Sequence, residues 1–218
     1  MKILGVLIDE RLTWEKHANK VKTQANRQIV NLARTSSVLS LKSRRTLYDA
    51  LVAPHYSYCD VVWDGMAKKC SQEVQKSGNF AARTLLGQNR RSSATQALLK
   101  LDMMPLSEKR KVHLAVLVHK MLKGEGPKKL VEDYVTLLNR GHHYHTRAAT
   151  RKDLKTLTRK TSKFDGSTKQ RAITLWNSIP ESLRGIECTS TFKREYQRHL
   201  LVNFKYDHGL THTPESAK

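Results

Sequence analysis

A formal charge of +21 on 218 residues constrains every fold open to this chain. Lys+Arg number 40 and Asp+Glu 19, so about one residue in ten is a cation with no acid to offset it. Such groups must stay at the surface or find a partner if buried. The 39% of residues that are hydrophobic recur periodically, which supplies a core and excludes disorder throughout. Self-repulsion on this scale is relieved by a polyanion. Nucleic acid is the first partner expected, and an anionic membrane surface or an acidic protein the second. A membrane span is excluded, because the longest clean apolar run, Leu114 to Val118, is five residues against about 20 needed. A secretory signal is not expected either, since Asp9, Glu10 and Arg11 follow the stretch Ile3–Ile8 directly. The cysteines, Cys59, Cys70 and Cys188, are odd in number and widely spaced. That pattern fits a reducing, intracellular setting rather than a disulfide framework, with nucleus and cytoplasm both open.

The apolar spacing predicts a mostly α fold. Residues 3–8 read as one short strand with no partner nearby, as if its sheet lay upstream. Trp14, Ala18, Val21, Ala25, Ile29, Leu32 and Ala33 share one helical face, with Thr13 as N-cap. A second helix is expected from Leu41 to Ala53, capped by Ser40 and stopped by Pro54. The aromatic run around Tyr48, Tyr56, Tyr58 and Trp63 fits core packing, or stacking on bases. A third helix spans Ala67 to Leu86 and stops at Gly87, with Gly78 weakening it by about 1 kcal/mol. A short helix at 94–100 and a long one from Pro105-Leu106-Ser107 to Leu122 follow, with Ser107 as cap. The wide apolar face of Val112, Ala115, Val116, Val118, Met121 and Leu122 marks a central helix of a bundle. Residues 128–138 resume a helical pattern. Residues 140–171 hold ten Lys/Arg against Asp153 and Asp165 and read as a mobile basic loop. The chain repacks through Leu175, Trp176, Ile179 and Leu183, then a helix at 190–203 is capped by Ser190. The tail beyond it reads as frayed.

Catalytic signals are weak. The acids form no paired motif, and no phosphate-binding glycine loop or nucleophile elbow occurs. The cluster His142, His143 and His145 admits a metal reading, but no Cys-x-x-Cys partner completes it. Its other reading is a set of loop histidines that add pH-dependent charge. No catalytic or metal-binding residue is therefore expected. The basic clusters are the strongest signal. Lys42, Arg44, Arg45, Arg83, Arg90, Arg91, Lys109, Arg110 and Lys111 are candidate phosphate contacts, with Arg147 in the basic loop. Lys42, Arg44 and Arg45 open a helix, where cations oppose the helix dipole. That local cost points to an external anion.

Five blocks in order resemble the C-terminal part of non-LTR (LINE-type) retrotransposon reverse transcriptases of the Jockey and CR1 kind. They are Leu4-Gly5-Val6-Leu7-Ile8-Asp9 with Leu12-Thr13-Trp14 and His17, then Leu47-Tyr48 through Pro54-His55 to Tyr58-Cys59 and Val62-Trp63. Gln75, Asn79 and Ala81-Ala82-Arg83 follow, then Leu101, Pro105 and Arg110. The last is His145-Thr146-Arg147 with Leu175-Trp176-Asn177-Ser178-Ile179-Pro180 and Phe192-Lys193. The resemblance implies that residues 1–13 end a polymerase palm at its primer grip. It also implies that 14–139 form a helical thumb, 140–171 a basic linker, 172–203 a C-terminal helical segment and 204–218 a tail. It implies a grip on RNA or an RNA–DNA hybrid, with no membrane partner. The catalytic aspartates and their Mg2+ would lie upstream, so this stretch needs no cofactor and has no polymerase activity alone. The alternative is a translated relic of a dead element, with no selected function.

Overall fold

The computed structural model describes residues 1–138, 153–155 and 167–209. Arg147, the histidines 142, 143 and 145, and most of the basic stretch lie outside the described residues. The described chain is mostly helical, with one two-stranded sheet at its start. It divides into two compact units. One holds Met1–Arg110 with the chain from Leu200, and the other holds the described residues of 111–199.

In the first unit, the expected lone strand is a hairpin instead. β1 (Lys2–Ile3) pairs antiparallel with β2 (Val6–Leu7), with Lys2 opposite Leu7 and Ile3 opposite Val6. Leu4 and Gly5 turn the chain with φ of 44° and 85°. Two successive positive φ values make the tight turn that matches strand twist. Strands of two residues are marginal alone, and side chains from elsewhere hold this hairpin. The Tyr58 hydroxyl donates to the Leu4 carbonyl at 2.6 Å, Lys20 Nζ to the Gly5 carbonyl at 3.0 Å, and the Leu7 N–H to His17 Nδ1 at 3.3 Å. That last bond needs a neutral ring. Burial pushes the His17 pKa down, and Lys20 adds to the effect.

α1 (Glu15–Thr35) buries Ala18, Val21, Ala25, Ile29 and Leu32 as its spacing predicts, while Ala33 is exposed. Thr13 is not its cap. Trp14 takes that position with φ 61°, and the capping group is Asp9. The Asp9 carboxylate accepts the Thr13 N–H, the Thr13 hydroxyl and the Trp14 N–H, each at 2.9 Å. These bonds hold its pKa at about 2 instead of 3.8, the Thr13 N–H contributing most, against an opposing desolvation. A carboxylate depressed in the folded state stabilises the fold above pH about 4 and stops doing so as pH falls toward 2. An NMR pH titration is expected to show the Asp9 carboxyl and the Thr13 amide titrating together near the lower value, and Asp9→Asn to remove that transition.

α2 (Leu41–Leu47) starts at Ser40, whose Oγ accepts the Ser43 N–H at 3.1 Å, as expected. Pro54 does not end the helical run. Residues Tyr48–Val52 widen into a π turn, where the Ala53 N–H reaches the Tyr48 carbonyl five residues back. α3 (Ala53–Ser57) then carries Pro54 in its first turn, where no N–H is missed. α4 (Asp60–Trp63) follows Cys59 at φ 50°. Tyr48, Tyr56 and Trp63 are buried.

α5 (Lys68–Leu85) ends at Gly87, whose φ is 64°. Its small buried residues, Ser77, Ala81 and Ala82, let α1 pack along it. The Tyr56 hydroxyl meets Ser77 Oγ at 2.6 Å, and Ser77 Oγ donates to Asn26 of α1 at 2.6 Å. Gly78 is a close-approach site. A Cβ there would lie 2.9 Å from Leu106 Cδ1 and 3.1 Å from its Cγ. Gly78→Leu is expected to lower stability by about 1–3 kcal/mol through overpacking, as read by urea melts. α6 (Ala94–Lys100) is capped by Ser93. α7 (Leu106–Leu122) begins one residue before Ser107, and its first N–H goes to Gln75 Oε1 at 2.7 Å.

The second unit contains the rest of α7, α8 (Lys128–Leu138), α9 (Thr168–Ser178), α10 (Glu181–Arg184) and α11 (Thr189–Asp207) up to His199. Val112, Ala115, Val118 and Met121 of the face expected on α7 are buried, with Leu114 as well, while Val116 and Leu122 are half-buried. α9 starts inside the expected basic loop, capped by Ser167. Asp153 and Leu154 have no regular secondary structure, as a loop reading expects, yet both are buried. The tail is shorter than expected. α11 continues to Asp207, Phe204 packs on the core of the first unit, and Lys205 pairs with Asp102 at 2.5 Å. All three cysteines are free thiols.

Candidate nucleic-acid interface

Two acid-free windows meet in the first unit. No Asp or Glu occurs between Glu15 and Asp49, nor between Glu73 and Asp102. The first window contains α2 and the second contains the end of α5, the loop after it and α6. Three contacts bring them together. A Cβ on Gly87 would lie 3.6 Å from Arg44 Nη1, so the guanidinium lies against the backbone where α5 ends. Arg83 Nε donates to the Ser92 carbonyl at 2.8 Å and fixes the loop that carries Arg90 and Arg91. Arg45 Nη1 donates to the Leu101 carbonyl, just past α6, at 3.1 Å.

These contacts sort the expected cations. Lys42, Arg90 and Arg91 are exposed. Arg44 is half-buried, and its Nε has no hydrogen-bond partner among the described residues. Arg45 and Arg83 are also half-buried and partly engaged. Arg45 holds Asp49 at 3.3 Å one turn on. They position the surface and leave part of each guanidinium at it. Side chains some 45 residues apart in sequence thus form one cationic face.

Lys109, Arg110 and Lys111 do not act as one cluster. Successive residues on a helix point about 100° apart. Arg110 turns inward, 3% exposed. It pairs with Asp64, donates to Ser71 Oγ at 2.8 Å and lies over the Trp63 ring at 5.8 Å. Lys109 is half-buried, and Lys111 is exposed and belongs to the second unit. Arg110 is thus a core residue, and the cationic face is built without it.

Tyr48 is not available for stacking. Tyr48 is 2% exposed, beneath α2. Tyr58 is exposed, and its hydroxyl is bonded to the hairpin. Among the described residues no group of three or more His, Cys, Asp or Glu is placed to hold a metal ion. None of the described helices is long and apolar enough to cross a membrane.

Comparison with known proteins gives one relevant likeness. Over 89 residues the chain is 32% identical to the probable RNA-directed DNA polymerase from transposon X-element of Drosophila melanogaster. That is 39% of this chain and 10% of the polymerase, so the chain spans about a tenth of the relative it matches. The likeness relates it to a retrotransposon reverse transcriptase. No family model matches, and no solved structure does.

Of the hairpin anchors, His17 and Tyr58 fall in the resembling blocks, which gave them no such role, and Lys20 has no marker in sequence. The cationic face did have one, since the two acid-free windows are visible in the chain before any folding.

Proposed function

We propose that this chain is the thumb and C-terminal extension of a retrotransposon reverse transcriptase, and that it grips RNA or an RNA–DNA hybrid by its phosphates. The observation that carries this reading is the cationic face on α2 and the loop 87–93, in a chain similar to a transposon polymerase. Lys42, Arg44, Arg90 and Arg91 are the phosphate contacts, with Arg45 and Arg83 holding the surface that presents them. Such a face neutralises a backbone and does not read bases. A stacking platform for single strands would need exposed aromatics beside the cations, and Tyr48 is turned into the core. A duplex is therefore the preferred ligand. No residue of the chain is assigned a bond-making role. Polymerisation and its Mg2+ belong to catalytic carboxylates outside it.

The test is a fluorescence-anisotropy titration with a labelled RNA–DNA hybrid at several salt concentrations. Kd is expected to weaken at least about tenfold between 50 and 200 mM salt, as several phosphate contacts require. Changing Lys42, Arg90 and Arg91 together to alanine is expected to lower the log–log salt slope by about 2–3. A flat salt response, or a triple variant with the parent's slope, overturns the reading.

A further inference from the structure

The block Trp176-Asn177-Ser178-Ile179-Pro180 takes no part in the phosphate grip, yet it is closely engaged. Trp176 and Ile179 are buried. Asn177, between them, turns to the backbone of Leu154. Its Oδ1 accepts the Leu154 N–H at 2.8 Å, and its Nδ2 donates to the Leu154 carbonyl at 3.0 Å. One side-chain amide thus makes the pair of bonds that one strand gives another. The Leu154 side chain is fully buried. One residue earlier, the Asp153 carboxylate accepts from Arg184 Nη1 of α10 at 2.6 Å. Arg184 is buried, and its Nε has no hydrogen-bond partner among the described residues. Lys155 is exposed.

Asp153–Leu154 is therefore held as a bound dipeptide is held: backbone read by an amide, leucine in a pocket, acid on a buried arginine. We propose that Asn177 and Arg184 form a peptide-recognition slot for an acidic residue followed by leucine. Its resident ligand is this chain's own Asp153–Leu154, and the slot releases that ligand while the helices around it stay folded. Residues 153–155 have no regular secondary structure, and side chains of α9 and α10 contribute to the hold. Release requires that this segment open below global unfolding. The demand for an acid follows from Arg184, whose buried charge must keep a carboxylate partner. Arg151, Lys152 and Lys155 flank the docked pair, so the slot pins one acid-and-leucine island of a strongly basic stretch.

Native hydrogen exchange on the full chain is the first arm of the test. The Leu154 amide is expected to exchange at least about tenfold faster than that of Ile173 in α9, and at least about tenfold slower than in a free peptide. Leu154 exchanging in step with Ile173, or as fast as the peptide, overturns the proposal. The second arm empties the slot with Asp153→Ser and Leu154→Ser and adds a labelled peptide of residues 150–158. Saturable binding is expected, weakened at least about tenfold by Asn177→Ala or by asparagine in place of the peptide's aspartate. No binding, or equal binding of the asparagine peptide, counts against the slot. Loss of α9 protection in the emptied variant counts against release, because the segment is then integral to the fold.

Discussion

Replacing Asp64 by alanine is expected to destabilise the first unit by about 3–5 kcal/mol, because it strands a buried guanidinium. Arg110 is 3% exposed and depends on few groups. Asp64 supplies the opposing charge, Ser71 Oγ accepts one N–H at 2.8 Å, and the Trp63 ring lies 5.8 Å away. Nη1 has no hydrogen-bond partner among the described residues. Removing the carboxylate leaves the desolvation cost of the cation and takes away its largest compensation. Removing the cation as well, in Asp64→Ala with Arg110→Met, is expected to restore most of the loss, since an apolar side chain of similar length needs no counter-charge. Urea melts of the four proteins give the coupling directly. The same variants separate two roles for Arg110. If Arg110 held a phosphate, Arg110→Met would lower the salt slope of hybrid binding by about one. With the arginine in the core, the folded Arg110→Met protein is expected to keep the parent's slope.

Arg110 also illustrates where the sequence stops being informative. Its neighbours Lys109 and Lys111 make it part of a basic run, and nothing local distinguishes it from them. Only the helical turn and an acid 46 residues away decide that it points inward. The helices themselves were legible because their signals are local. Apolar spacing marked the buried face of α1, Ser40 marked a cap, and Gly87 marked the end of α5. The departures have non-local or rare causes. The hairpin needs a leucine at positive φ, which propensity argues against, and it depends on Tyr58, far along the chain. Pro54 fails as a stop because a π turn precedes it, a geometry with no sequence marker here. The burial of Asp153 and Leu154 was not legible because Asn177 and Arg184, which hydrogen-bond to them, come more than 20 positions later. The cationic face lies between these cases. Each basic cluster was visible, but their meeting required the fold.

The second unit has a corresponding weak point in its aromatic cluster, and Phe192→Ala is expected to cost about 3–5 kcal/mol there. Phe192 is fully buried on α11. Its ring stacks on His119 at 4.5 Å with 13° between planes, and on Tyr196 at 5.9 Å with 12°. Trp176 lies 6.0 Å away at a tilt. His119 cannot move to fill a cavity. Its Nε2 donates to the Ile186 carbonyl at 2.8 Å, and its Nδ1 meets the Thr189 hydroxyl at 3.1 Å. A carbonyl only accepts, so Nε2 carries a proton and the ring orientation is set. The cavity left by alanine therefore stays open, and the loss belongs at the upper end of the range. Phe192→Leu keeps most of the volume and is expected to cost about half as much. Hydrogen exchange at Val118 and Ile173 is the suitable measurement, since it reports on this unit directly. A loss below about 1 kcal/mol for the alanine variant would mean that the unit relaxes around the gap. The aromatic stack would then be a consequence of the fold and not one of its supports.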